Sequence, residues 1–66
     1  MEKLFFNRKE LVAAVGLSFS SIYRLERAGK FPARRIVGDR AVRWLVEEVM
    51  EWARNTEVVR FEEDDK

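Results

Sequence analysis

The sequence predicts a mainly α domain with one small β-hairpin: three helices plus a wing, a winged helix-turn-helix. Three observations predict it. Helix-start signals at Asn7 and at Ser18 lie on either side of Gly16, so two short helices meet at a sharp turn. Two strand-like runs, Arg34–Val37 and Arg40–Trp44, flank Gly38-Asp39. A third amphipathic run, Leu45 to Asn55, follows at once.

Each element has its own local reason. Asn7 is a good N-cap, and Glu10 three residues later completes a capping box. Phe6 before the cap and Leu11 after it form a hydrophobic staple. Leu11, Val12 and Val15 make one apolar stripe, and Gly16 suits the left-handed residue that ends a helix. Ser18 caps the second helix, with Leu17 and Ile22 as its staple, and the helix is expected to run to about Ala28 and close at Gly29. Pro32 blocks further helix. Gly38-Asp39 reads as a two-residue hairpin turn, which sets Arg34 opposite Arg43. In the third helix Leu45, Val49 and Trp52, with Val46, Met50 and Ala53 beside them, form the apolar stripe, and Glu47, Glu48 and Glu51 the acidic face. Phe5, Phe31, Trp44 and Trp52 are the expected core aromatics. The expected division is a domain over residues 1–55 and an acidic, partly disordered tail over 56–66. Within that tail, Thr56 to Phe61 is open between a short strand and loose packing.

Composition narrows the function. A chain of 66 residues has room for one domain, and a small one buries a limited core. Cys and His are both absent, which removes disulfides, thiolate metal sites, the commonest general base and the commonest metal ligand. No catalytic residue, cofactor or metal is expected, and an enzyme is not. The adjacent acids Glu47-Glu48 sit on a solvated helix face rather than in a buried acid/base pair. No apolar run approaches the ~20 residues of a membrane span. Met1 to Phe6 is too short an apolar segment for a signal peptide. A cytoplasmic protein with no membrane partner is the expectation.

Net charge is only +1, but it is unevenly spread. From Arg8 to Arg43 there are nine Lys and Arg against three acids; from Trp44 to Lys66 there are three bases against eight acids. A basic half of this kind attracts polyanions even when the whole chain is nearly neutral. On the second helix, projection at 100° per residue puts Ile22, Leu25 and Ser18 on one side with Phe19 at the margin. Ser20, Arg24 and Arg27 fall opposite, bordered by Tyr23, while Glu26 projects away from them. A donor-rich cationic face suits double-stranded DNA; a merely solvated face is the alternative. Two arginines opposed across a hairpin repel, which makes sense if an anion lies against them. An edge hairpin protected by its charges is the alternative there.

Four stretches, Gly16-Leu17-Ser18-x-Ser20-Ser21-Ile22-Tyr23-Arg24-Leu25, Gly29-Lys30-Phe31-Pro32, Gly38-x-Arg40-Ala41-Val42-Arg43-Trp44 and Glu48-Val49-x-x-Trp52, resemble the AlpA family over roughly residues 4 to 54. These are small DNA-binding proteins of phages and genomic islands, related to excisionases and to the DNA-binding domain of MerR-type regulators. The resemblance implies a helix from Ser18 that enters the major groove, and a wing around Gly38-Asp39-Arg40 on the backbone or minor groove. It also implies a regulator of integrase genes or an excisionase, that is, a recombination directionality factor. Two positions depart from the pattern: Phe19 stands where many members carry a basic residue, and Asp39 where many carry a second glycine. The acidic tail has no counterpart in the motif.

On this reading Ser18, Ser21, Lys30, Arg34, Arg35 and Arg43 anchor phosphates, and Ser20, Tyr23, Arg24 and Arg27 enter the groove. Arg24 is the candidate for guanine and Arg40 for a narrow minor groove. One recognition helix reads few base pairs, so further copies on repeated sites are expected partners, basic half against acidic half. The alternative class is a protein-interaction module that contacts an integrase or another regulator without a DNA site of its own.

Overall fold

The computed structural model describes residues 3–60. Its elements are β1 (Phe5–Phe6), α1 (Arg8–Val15), α2 (Phe19–Arg27), β2 (Arg35–Val37), β3 (Ala41–Leu45) and α3 (Val46–Arg54). Three helices and a three-stranded antiparallel sheet are the arrangement expected of a winged helix-turn-helix.

The helix ends follow the local chemistry. Glu10 N–H donates to Asn7 Oδ1 at 2.8 Å and Asn7 N–H to Glu10 Oε1 at 2.9 Å, a closed capping box. Gly16 ends α1 at φ +83°. Ser18 caps α2 through Ser21 N–H at 3.3 Å. Gly16, Leu17 and that cap are all that separate the two helices. At its other end α2 closes in a Schellman motif: Lys30 N–H reaches the Leu25 carbonyl at 2.8 Å and Gly29 N–H that of Glu26 at 3.0 Å, with Gly29 at φ +76°. Helix α3 starts directly off β3, with Leu45 as its cap residue and no side-chain cap bond.

The core is Leu11 from α1, Ile22 from α2, Phe31 from the loop, Trp44 from β3 and Val49 from α3. Phe6, Val12, Val15, Phe19, Leu25 and Trp52 pack around it. Phe31 and Trp52 meet edge to face at 4.7 Å, and Trp52 Nε1 donates to the Lys30 carbonyl at 2.7 Å, so the end of α2 is fastened to α3. Met50, expected beside the apolar stripe of α3, is half exposed at its edge.

Two features differ from the sequence reading. The first is a third strand. Phe5-Phe6 pairs antiparallel with β3, Phe5 opposite Leu45 and Phe6 opposite Trp44, which makes β3 central in the order β1-β3-β2. Two residues are too few to display an alternation. The second is the hairpin register. Arg35, not Arg34, lies opposite Arg43; Ile36 faces Val42 and Val37 faces Ala41. The connection takes three residues, Gly38 to Arg40, because Arg40 joins the turn at φ +75° and Gly38 at φ +62°. A slip of one position turns each side chain to the other face of the sheet. Arg34 therefore shares a face with Trp44, and Arg35 with Arg43.

Residues 56–60 are exposed and form no strand. The acidic end, Glu62 to Lys66, lies outside the described residues.

Candidate nucleic-acid interface

Helix α2 presents Ser20, Tyr23, Arg24 and Arg27 outward, all exposed. Arg27 donates to Tyr23 Oη at 3.0 Å across one helical turn, and its guanidinium lies 5.7 Å from the Tyr23 ring. Arg24 is in no ion pair among the described residues. This face carries no acid, because the one acid of α2, Glu26, turns toward the hairpin.

There Glu26 holds Arg34. Its Oε2 accepts from Arg34 N–H at 2.9 Å and from Nε at 3.0 Å, and its Oε1 accepts from Nη2 at 2.9 Å. The Arg34 guanidinium also faces three rings, Trp44 at 5.1 Å, Tyr23 at 5.5 Å and Phe19 at 5.7 Å. Burial by itself would push the Glu26 carboxyl up. The donors of Arg34, side chain and backbone, outweigh that and hold it below the ordinary glutamate value. The buried Trp44 indole N–H makes no hydrogen bond of good geometry among the described residues. It lies near enough to help keep Glu26 ionised. The sequence placed Arg34 among the phosphate anchors; the fold spends its guanidinium on joining the base of the wing to α2.

Arg35 is also engaged. It forms a bidentate pair with Glu48 of α3, through Nη2 to Oε2 and through Nε to Oε1 at 3.3 Å. The anion that the opposed arginines call for is thus supplied within the chain. Arg43 is half-buried and donates to the Val42 carbonyl at 2.7 Å. Arg40 is exposed at the wing tip next to exposed Asp39. Lys30 is exposed just beyond α2. The Ser18 hydroxyl accepts from Ser21 N–H and donates to Ser21 Oγ at 3.2 Å, so it is committed to the cap.

The structure therefore gathers Ser20, Tyr23, Arg24 and Arg27 on one helix face and leaves Lys30, Arg40 and Arg43 without a carboxylate partner among the described residues. It draws Arg34 and Arg35 into ion pairs. Sequence reasoning missed Arg8, whose guanidinium lies 3.9 Å over the Phe19 ring. The contact joins two helices, so no periodicity within either one announces it.

Among the described residues no helix is long and apolar enough to cross a membrane. Comparison with known proteins agrees with the motifs. The chain is 39% identical over 51 residues to an "Uncharacterized protein ORF88" of Enterobacteria phage P4. The match covers 77% of this chain and 58% of that protein, so the chain spans under two thirds of its relative's length. Residues 5–58 match the family described as prophage CP4-57 regulatory protein (AlpA). By the extent of that match, and with capped helices, turn and wing in the order its motifs require, the chain belongs to the AlpA family.

Proposed function

We propose that this protein is a sequence-specific double-stranded DNA-binding regulator of a prophage or integrated element. The observation that carries the reading is the outward face of α2: four exposed donor side chains with no acid among them. Helix α2 lies in the major groove, where Arg24 makes a bidentate contact with guanine and Ser20, Tyr23 and Arg27 fill the neighbouring positions. Lys30, Arg40 and Arg43 track the phosphates beside it, with Arg40 reaching into a narrow minor groove from the wing tip. Arg35 joins them when phosphate displaces Glu48. Membership of a family of prophage regulatory proteins supports a regulatory role. Control of integrase or excision genes, or direct action as an excisionase, is the specific role we assign within it. Further copies bind adjacent repeated sites, the basic half of one against the acidic half of the next.

The test is fluorescence anisotropy on duplex DNA from the flank of the element that encodes the protein, at several salt concentrations. Binding should exceed that to scrambled duplex and weaken by about 0.9 log units per tenfold salt for each phosphate neutralised. Absence of binding at low salt refutes the reading and redirects the basic face to a protein partner such as an integrase.

A further inference from the structure

Arg8 is the first residue of α1 and Phe19 the first of α2. The Arg8 guanidinium lies over the Phe19 ring at 3.9 Å, well within cation–π range. The ring is itself held on other sides. Tyr23, one turn along α2, stacks on it at 6.3 Å, and Trp44 meets it edge-on at 6.1 Å. Phe19 is thus a fixed platform rather than a loose surface ring.

The other described arginines are spent or loose. Arg34, Arg35 and Arg54 hold carboxylates, Arg27 a phenol oxygen and Arg43 a carbonyl. Arg24, Arg40 and Arg60 have neither partner nor ring contact among the described residues. Arg8 alone among them is oriented by a ring and has no hydrogen-bond partner among the described residues. Stacking occupies a face of a guanidinium and leaves its N–H edge free, a fork that matches two phosphate oxygens. A group oriented beforehand loses less entropy on binding. Its place is one helix behind the reading face, beside the first turn of α2. With α2 in the major groove, a side chain there is placed for the strand backbone that borders the groove rather than for a base edge.

We propose that Arg8, aimed by Phe19, is a phosphate clamp of the DNA interface: it grips a phosphodiester next to the first turn of α2. This rests on the DNA-binding reading above. Phe19 is a positioning residue that acts through Arg8.

The experiment compares wild type, Arg8→Ala, Arg8→Lys, Phe19→Leu and the Arg8→Ala/Phe19→Leu double variant. Each is titrated on the flank duplex and on scrambled duplex over a range of NaCl, with thermal melts alongside. Arg8→Ala should bind both duplexes about tenfold more weakly. Its salt slope should be shallower by about 0.9, with the ratio between duplexes unchanged. Arg8→Lys should keep the slope but not the full affinity. Phe19→Leu should weaken binding with the slope largely kept, and should shift the Arg8 Nε–H resonance that the ring perturbs. The double variant should bind about as Arg8→Ala does alone, and a loss equal to the product of the two singles would mean that Phe19 does not act through Arg8. Wild-type slope and affinity in Arg8→Ala overturn the proposal, as does a loss in that variant that tracks only a lowered melting temperature. If the wild type itself binds neither duplex, the DNA-binding reading falls and takes this with it. A binding wild type matched by Arg8→Ala sinks only the clamp.

Discussion

Replacing Glu26 by Gln tests whether the wing is fastened to α2 by charge. Glu26 is 12% exposed at its side chain and Arg34 33%, so the pair lies between a surface bridge and a buried one. Exposed pairs contribute about 0.2–1 kcal/mol, and breaking a fully buried pair costs about 3–5 kcal/mol. Glutamine keeps one acceptor oxygen for Arg34 N–H and Nε, but sets an amide NH₂ against Nη2, donor against donor. A loss of about 1–2 kcal/mol follows, out of a total of roughly 3–10 kcal/mol for a domain of this size. At about 4–8 °C per kcal/mol, the melting temperature should fall by about 5–15 °C. The assay is thermal unfolding by circular dichroism at low salt, at pH 7 and again in acid. Because the folded state holds Glu26 below its ordinary value, the charge contributes stability above about pH 4.5 and loses it as pH falls through the lowered value. The gap between wild type and variant should therefore close in acid. A variant that melts with wild type at pH 7, or a gap that persists unchanged at low pH, refutes the clamp. A second readout bears on DNA: if Arg34 were a phosphate anchor restrained by Glu26, the variant would bind with a steeper salt dependence. As a clamp, it binds every sequence more weakly with no added slope.

Four further outcomes are expected. Arg24→Ala should cost about 1–3 kcal/mol on the target and relax preference at one base pair, measured by competition among single-substituted duplexes; equal losses on all sequences would contradict a guanine contact. Arg35→Ala should weaken binding on every sequence and flatten the salt slope, while Glu48→Gln should steepen it; two unchanged slopes would place the pair off the DNA. Arg40→Gly should leave the fold as stable or up to about 1 kcal/mol more stable, since Arg40 occupies φ +75°, yet weaken DNA binding; a drop in melting temperature would mean that the side chain holds the turn. Ile22→Ala, at a fully buried site, should cost about 2–5 kcal/mol and lower the melting temperature by about 10–40 °C by circular dichroism.

What the sequence made legible was chemistry confined to a few neighbouring residues. The Asn7–Glu10 box, the Ser18 cap and the two glycine stops are local hydrogen-bond problems, and each is solved as expected. The outward set on α2 follows from helical geometry alone. The hairpin was legible as an element but not in register, because a two-residue and a three-residue loop differ here only in the backbone of Arg40, and an arginine side chain does not advertise a left-handed conformation. That one position decides which arginine meets Glu26 and which meets Glu48. The same holds for β1 and for Arg8 on Phe19: both are contacts between distant segments, and neither leaves a period in the sequence.

The pairing of Phe5-Phe6 with Leu45 and Trp44 ties together positions about forty residues apart. The β2–β3 hairpin closes over three residues, but adding β1 to it closes a far longer loop, which is entropically costly. The helix pair thus lacks its lid of Trp44 until nearly the whole described chain is available. On a ribosome the domain can complete its core only once α3 has left the exit tunnel, so folding should be a single late event with no stable half. A fusion or tag joined just ahead of Phe5 would load the strand that steadies the wing, and carrier proteins are better joined elsewhere.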